Sequence, residues 1–204
     1  MTTLDRFSTV LQDPMQWQRR WRQYFGNDNP ITLELGCGKA EVSVGLAERY
    51  PHRNFVGIDI KGARLWVGAR DAAAKKLVNI CFIRLWADHL PHIFAASEVA
   101  ELWITFPDPF RKRAQEKRRL TSSRFISIYR KVLQPEGKIH VKTDDDDLFQ
   151  FTMDEVEKEK CLVHKVTWDL YQDLDVQENL TIQSHYEKLH LRMGKKIKYL
   201  CFSL

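Results

Sequence analysis

The sequence predicts an α/β protein, a largely parallel sheet with helices packed on both faces. Three observations carry the prediction. Strand-length apolar runs alternate with helix-length segments from residue 31 to residue 143, and parallel neighbours need crossovers of that length. The first run ends in a glycine-rich turn, Gly36-Cys37-Gly38, that opens into a helical pattern. Acids stand at three successive strand ends, Glu34, Asp59 and Asp88, and in a parallel sheet those ends share one edge.

The elements follow in order. Residues 1–29 carry aromatics and arginines, as in Trp17-Gln18-Arg19-Arg20-Trp21, and break at Gly26-Asn27-Asp28-Asn29-Pro30, which reads as a short helix and a turn. Apolar runs then predict strands at 31–35, 54–60 and 79–85, separated by helical patterns at 40–50 and 62–77. Strand 100–106, helix 121–133 and strand 137–143 continue the series. The tail differs: helix 147–160 leads to two extended stretches, 161–168 and 196–203, joined by a long polar loop. With 204 residues and 44% hydrophobic content, the chain buries one full core, so the expectation is a single domain over 1–204 with 1–29 as an N-terminal helical extension.

Composition also excludes several classes. The cysteines, Cys37, Cys81, Cys161 and Cys201, form no C-x-x-C pair and no ligand-spaced cluster with the histidines, against disulfides and structural zinc. No secretion signal opens the chain, and no apolar run approaches the roughly 18 residues of a membrane span. The expected setting is reducing and cytoplasmic, with no membrane association. Asp144-Asp145-Asp146-Asp147 lacks the spaced oxygens of a calcium loop, and Thr143 or Asp144 suits a helix cap there, so no metal is expected.

The first strand points to a nucleoside cofactor. In Glu34-Leu35-Gly36-Cys37-Gly38-Lys39-Ala40-Glu41 the glycines permit a sharp turn and close approach of a ligand. The third glycine of a dinucleotide fingerprint is replaced by Glu41. Asp59, 25 residues beyond Glu34, suits the ribose diol of either NAD(P) or S-adenosylmethionine. Glu34 decides between them, because an acid there repels a pyrophosphate and suits a sulfonium and an amino group. Asp88 is placed to accept from an adenine amino group.

The fourth strand carries the strongest signal. Leu102-Trp103-Ile104-Thr105-Phe106 runs into Pro107-Asp108-Pro109-Phe110 and then into a cationic run ending at Arg119. Residues 111–119 hold six basic residues and one acid, a net of +5, equal to the formal charge of the whole chain. All of the positive bias therefore adjoins one carboxylate, Asp108. A basic run is often only a solvated loop, but this concentration suits a nucleic-acid backbone.

Taken together, these residues resemble the tRNA (guanine-N7)-methyltransferases, a branch of the class I S-adenosylmethionine-dependent enzymes. The resemblance runs from about residue 31 onward and rests on Glu34-Leu-Gly-Cys-Gly-Lys39, Gly57-Ile-Asp59-Ile-Lys61, Phe106-Pro-Asp-Pro-Phe110, Lys117-Arg-Arg-Leu-Thr121 and Lys142-Thr-Asp144. It implies a Rossmann-like three-layer sandwich, with a seven-stranded, mostly parallel sheet and an antiparallel C-terminal strand. It further implies methylation of the variable-loop guanine at position 46 of tRNA, by a monomer or homodimer. Carried over by position, Glu34, Gly36, Gly38, Asp59, Asp88 and Asp108 look like cofactor-site residues, and Asp108 matches the catalytic position. Lys112, Asp144, Ser184, His185, Tyr186 and Glu187 match substrate-binding positions, and Arg113, Ala114, Gln115, Lys117, Arg118 and Arg119 match an RNA-contacting loop. Departures from the family pattern are Phe110 for tryptophan, Ala40 for glycine and Ser184 for threonine.

The implied chemistry needs no strong base. Guanine N7 is an in-plane lone pair, nucleophilic without losing a proton, so positioning and electrostatics dominate. Asp108 and Asp144 suit the guanine N1–H and 2-amino group, and adenine, with an acceptor at N1, is rejected. Phe110 or Tyr186 offers a stacking face for a base drawn out of its stack. Two further readings share the features: a class I methyltransferase acting on another RNA, and a non-catalytic RNA-binding protein of the same fold.

Overall fold

The structure is a computed structural model that describes residues 9–11, 13–173 and 176–204. Seven strands, β1 (Ile31–Leu35), β2 (Asn54–Asp59), β3 (Ile80–Arg84), β4 (Val99–Thr105), β5 (Leu133–Thr143), β6 (Leu162–Thr167) and β7 (Lys198–Ser203), form one sheet in the order β3-β2-β1-β4-β5-β7-β6. The strands from β3 to β5 pair in parallel, and β7 runs antiparallel to both β5 and β6. One reversed strand in a mostly parallel sheet is the predicted architecture. Strand order reverses between β1 and β4, which leaves a crevice beyond their C-terminal ends where α/β folds bind ligands.

Alternation along the strands makes two cores. Leu33, Val56, Ile104 and Val141 point to one face and meet Phe94, Phe125, Tyr129 and Phe149. These come from the segment after α4 (Leu90–Ile93) and from α5 (Ser123–Tyr129) and α6 (Asp146–Lys158). Phe55, Phe82, Trp103 and Tyr199 point to the other face, against Val42 and Leu46 of α2 (Glu41–Arg49) and Leu65 and Ala69 of α3 (Gly62–Ala74). Each core strand thus buries both faces, which explains its continuous apolar run.

In the N-terminal extension, a 3-10 turn (Pro14–Trp17) precedes α1 (Trp21–Phe25), which ends on Gly26 in the left-handed region at φ +69°. Trp21 anchors it, donating through Nε1 to Ile93 O at 2.9 Å and stacking on Phe94 at 5.0 Å. The earliest part of the extension lies outside the described residues.

Several boundaries differ from those expected. Helix α5 stops at Tyr129 because Leu133 already pairs with Val99, and β5 bulges before resuming register at Lys138. Helix α6 is capped by neither Thr143 nor Asp144. Asp145 caps it, its Oδ1 accepting from Leu148 N at 2.8 Å. The long polar loop between the last two strands holds a helix, α7 (His185–Arg192). Among the described residues, no helix is long and apolar enough to cross a membrane, and no cluster of three or more metal-ligating groups forms.

Candidate cofactor and substrate site

A cavity of about 320 Å³ opens at the C-terminal ends of β1 and β2. Apolar Leu35, Ile58, Leu85 and Phe125 line it, and Gly36, Asp59, Asp88 and Asp108 bring backbone and carboxylates to its wall. Gly36 and Gly38 adopt φ +68° and +57°, left-handed values that glycine takes without strain. Asp59 fastens this turn to its own strand end: Oδ2 accepts from Gly38 N at 2.8 Å and Oδ1 from Lys61 N at 2.7 Å. Each oxygen keeps a second lone pair, and the residue still lines the cavity.

Ala40, at the family's glycine position, also lies in the left-handed region, at φ +58°, and is fully buried. Gly68 on α3 makes room for it, since a Cβ there would sit 2.7 Å from the Ala40 methyl.

Glu34 does not line this cavity. Its Oε2 accepts from Ser43 N at 2.9 Å and from the Ser43 hydroxyl, and its Oε1 accepts from Thr105 Oγ1 at 2.7 Å. Burial pushes its carboxyl up to about 7, against the lowering effect of those hydrogen bonds. Its observed work is to tie β1 to α2 and β4. Asp88, expected at the end of β3, sits four residues past Arg84 in a 3-10 turn (Ala87–His89), because the strand stops at Arg84. Its Oδ1 accepts from Arg124 Nη2.

The Pro107-Asp108-Pro109 segment is held between two aromatic residues with unusual backbones, Phe106 at φ +50° and Phe110 at φ +40°. Left-handed conformation in bulky residues is costly and persists where surroundings enforce it. Phe106 N donates to Lys142 O at 2.8 Å, and Arg119 donates to Pro109 O at 2.8 Å and Phe110 O at 3.3 Å. Asp108 is exposed at the cavity wall, and Arg118 lies over the Phe110 ring at 4.7 Å.

The basic run folds as a 3-10 helix (Arg113–Arg118) preceded by exposed Lys112, whose carbonyl accepts from Gln115 N at 2.8 Å. Arg113, Ala114, Lys117 and Arg118 are exposed, and Gln115 is half-buried. Arg119 corrects the expectation for this loop. It is 5% exposed, donates to Pro109 O and Phe110 O and stacks on Phe151 at 4.3 Å, so it faces inward rather than out with the other basic residues.

The remaining predicted residues gather around α7. Asp144 meets Lys195 Nζ at 2.6 Å and His190 Nδ1 at 3.2 Å through Oδ2. Ser184 caps α7, accepting from Glu187 N at 3.2 Å, and His185 N donates to Glu41 Oε2 at 2.6 Å. Exposed Tyr186 reaches Arg64, a cavity residue, at 3.5 Å. Glu187 is fully buried, paired with Lys142 and accepting from Tyr171 OH at 2.8 Å through Oε1, while Oε2 has no hydrogen-bond partner among the described residues. The structure therefore joins Gly36, Asp59, Asp88 and Asp108 at one cavity, while Asp144 lines a separate pocket with Arg111, Lys195 and Lys198, and Glu187 is buried with Lys142. Arg64, Trp86 and Arg124 also line the cavity, and no sequence motif marks them.

A Rossmann-like sheet with carboxylates and a glycine turn at its switch point defines the class I methyltransferase fold. The 16S rRNA methyltransferase KamB superposes with a TM-score of 0.69 at 16% identity, over 91% of this chain and 93% of that one. The 30S ribosomal A1408 methyltransferase from an uncultured bacterium gives 0.64 at 13% identity, over 95% and 94%. At such identities the likeness concerns fold. Residues 28–200 match the family described as "Putative methyltransferase". The chain is 48% identical to the tRNA (guanine-N(7)-)-methyltransferase of Porphyromonas gingivalis over 91% of its length and 76% of the relative's. It is 42% identical to the enzyme of that name from Christiangramia forsetii, over 98% and 94%. The chain belongs to the tRNA (guanine-N(7)-)-methyltransferase family.

Proposed function

We propose that this protein transfers a methyl group from S-adenosylmethionine to N7 of the guanine at position 46 of tRNA. The observation that carries this reading is the shared wall: Asp59 and Asp108 face one cavity whose mouth adjoins Phe110 and the exposed basic helix. The donor set fits the cofactor, with acceptor lone pairs for a ribose diol, apolar walls for a purine and carboxylates for a cation. When bound, the cofactor supplies the electrophilic methyl group.

The chain's own residues position and stabilise. Asp59 uses its remaining lone pairs on the ribose hydroxyls, and Asp88 accepts from the adenine amino group. Asp108, on a braced segment, orients the guanine edge and favours the positive charge that spreads onto the purine. Asp144 has one oxygen occupied by Lys195 and His190 and offers the other. Phe110, backed by Arg118, gives the flipped base a stacking face. Lys112, Arg113, Lys117 and Arg118 meet the phosphates, with Ala114 and Gln115 on the same loop.

The test is radiolabelled methyl transfer to unmodified tRNA, followed by nucleoside analysis. The label should appear as 7-methylguanosine, and label in any other nucleoside sinks the reading. Asp59→Ala should weaken cofactor binding by about 1–3 kcal/mol. Asp108→Ala should slow transfer while tRNA retention stays nearly intact.

A further inference from the structure

Arg124, the second residue of α5, meets Asp88 inside the cavity that both residues line. The two side chains come from elements 36 residues apart and remain open to a ligand, at 50% and 33% exposure. Around them stand flat apolar surfaces. The Arg124 guanidinium lies 5.1 Å from the Phe125 ring centre, and the Trp86 indole, 58% exposed, lines the same cavity. A carboxylate presents only acceptors and a guanidinium only donors, in a fixed planar fork. The pair therefore displays an acceptor beside a donor at the end of an apolar slot.

That doublet has a specific complement. A 6-aminopurine carries an amino donor beside a ring-nitrogen acceptor, whereas a 6-oxopurine places an acceptor where the amino group stood. We propose that Arg124 is a specificity-determining residue of the cofactor site. Arg124 donates to a ring nitrogen while Asp88 accepts from the neighbouring amino group, so the pair selects adenine nucleosides. The proposal rests on the reading of this cavity as the S-adenosylmethionine site.

Calorimetry on the full chain with S-adenosylhomocysteine and its 6-oxo analogue S-inosylhomocysteine tests it. Wild type should prefer the adenosyl ligand by roughly ten- to hundredfold. Arg124→Met should weaken the adenosyl ligand and bring the two within about threefold. Arg124→Lys keeps the charge but loses the fork, and should narrow the preference at least about threefold. A wild-type preference ratio retained in Arg124→Met overturns the proposal. If that variant loses its cooperative thermal transition, a ratio unchanged in Arg124→Lys overturns it instead. Wild type that binds both ligands equally also overturns it. Wild type that binds neither removes the cofactor reading and this proposal with it, a result distinct from the others.

Discussion

Lys142 on β5 and Glu187 on α7 form an ion pair closed to solvent, with side chains 1% and 0% exposed. Lys142 Nζ also donates to Leu180 O at 3.1 Å, and Tyr171 OH donates to Glu187 Oε1. Removing two charges from water is costly, and removing one partner leaves the other uncompensated.

Lys142→Met should therefore cost about 3–5 kcal/mol in urea unfolding. The double variant Lys142→Met with Glu187→Met should recover much of that loss, since both charges leave together. A single variant within about 1 kcal/mol of wild type would show that the pair does not anchor α7.

The basic helix and its terminal arginine should separate by assay. Alanine at Arg113, Lys117 and Arg118 should flatten the log–log salt dependence of tRNA binding by roughly 2–3 units, near one per phosphate contact. Arg119→Ala should leave that slope alone and lower stability by about 2 kcal/mol or more, because its charged hydrogen bonds to Pro109 and Phe110 are lost. Filter binding across a salt series and thermal unfolding read the two effects independently.

Glu34 gives a pH signature. Burial raises its carboxyl from 4.5 to about 7, so the folded state keeps a proton that the unfolded state releases. Stability then falls as pH rises from 4.5 to about 7, by on the order of 3 kcal/mol. Glu34→Gln should flatten that decline, and its stability relative to wild type should grow with pH. Parallel stability–pH curves for the two proteins would rule out Glu34 as the titrating group.

Gly68→Ala should cost about 1–3 kcal/mol through overpacking, because the new Cβ would meet the Ala40 methyl at 2.7 Å and Lys39 O at 2.9 Å. The clash falls on the Gly36–Ala40 turn, so binding of S-adenosylhomocysteine should weaken as well. Thermal unfolding and calorimetry check the two effects.

The central strands were legible because they are buried on both faces and so read as apolar runs, as in Ile31–Leu35, whereas edge strand β6 is largely exposed. Asp59 and Asp108 stood out in the sequence because each follows an apolar strand run closely, but the run could not show that Asp59 also fastens the glycine turn through Gly38 N and Lys61 N. Helix α7 escaped because its surface is polar, with Leu189 exposed. Its start is nonetheless signalled by Ser184 three residues before Glu187, a capping spacing at positions the family resemblance ties to substrate. The inward turn of Arg119 could not be read from a run of charges, since a run does not say which member faces a carbonyl. Arg124 escaped for a related reason: its partner, Asp88, is distant in the chain.

Helix α7 and the residues just past it are held at three places: His185 N on Glu41 of α2, Glu187 on Lys142 of β5, and Lys195 on Asp144 beside α6. Such a helix does not fray from one end, because each tie leads to a different element. Opening it breaks all three at once and bares Lys142 in the sheet, so amide exchange in α7 and in the last residues of β5 should share one opening free energy. Helix α7 is thus part of the cooperative unit of the sheet, and the residues it carries are lost or kept together.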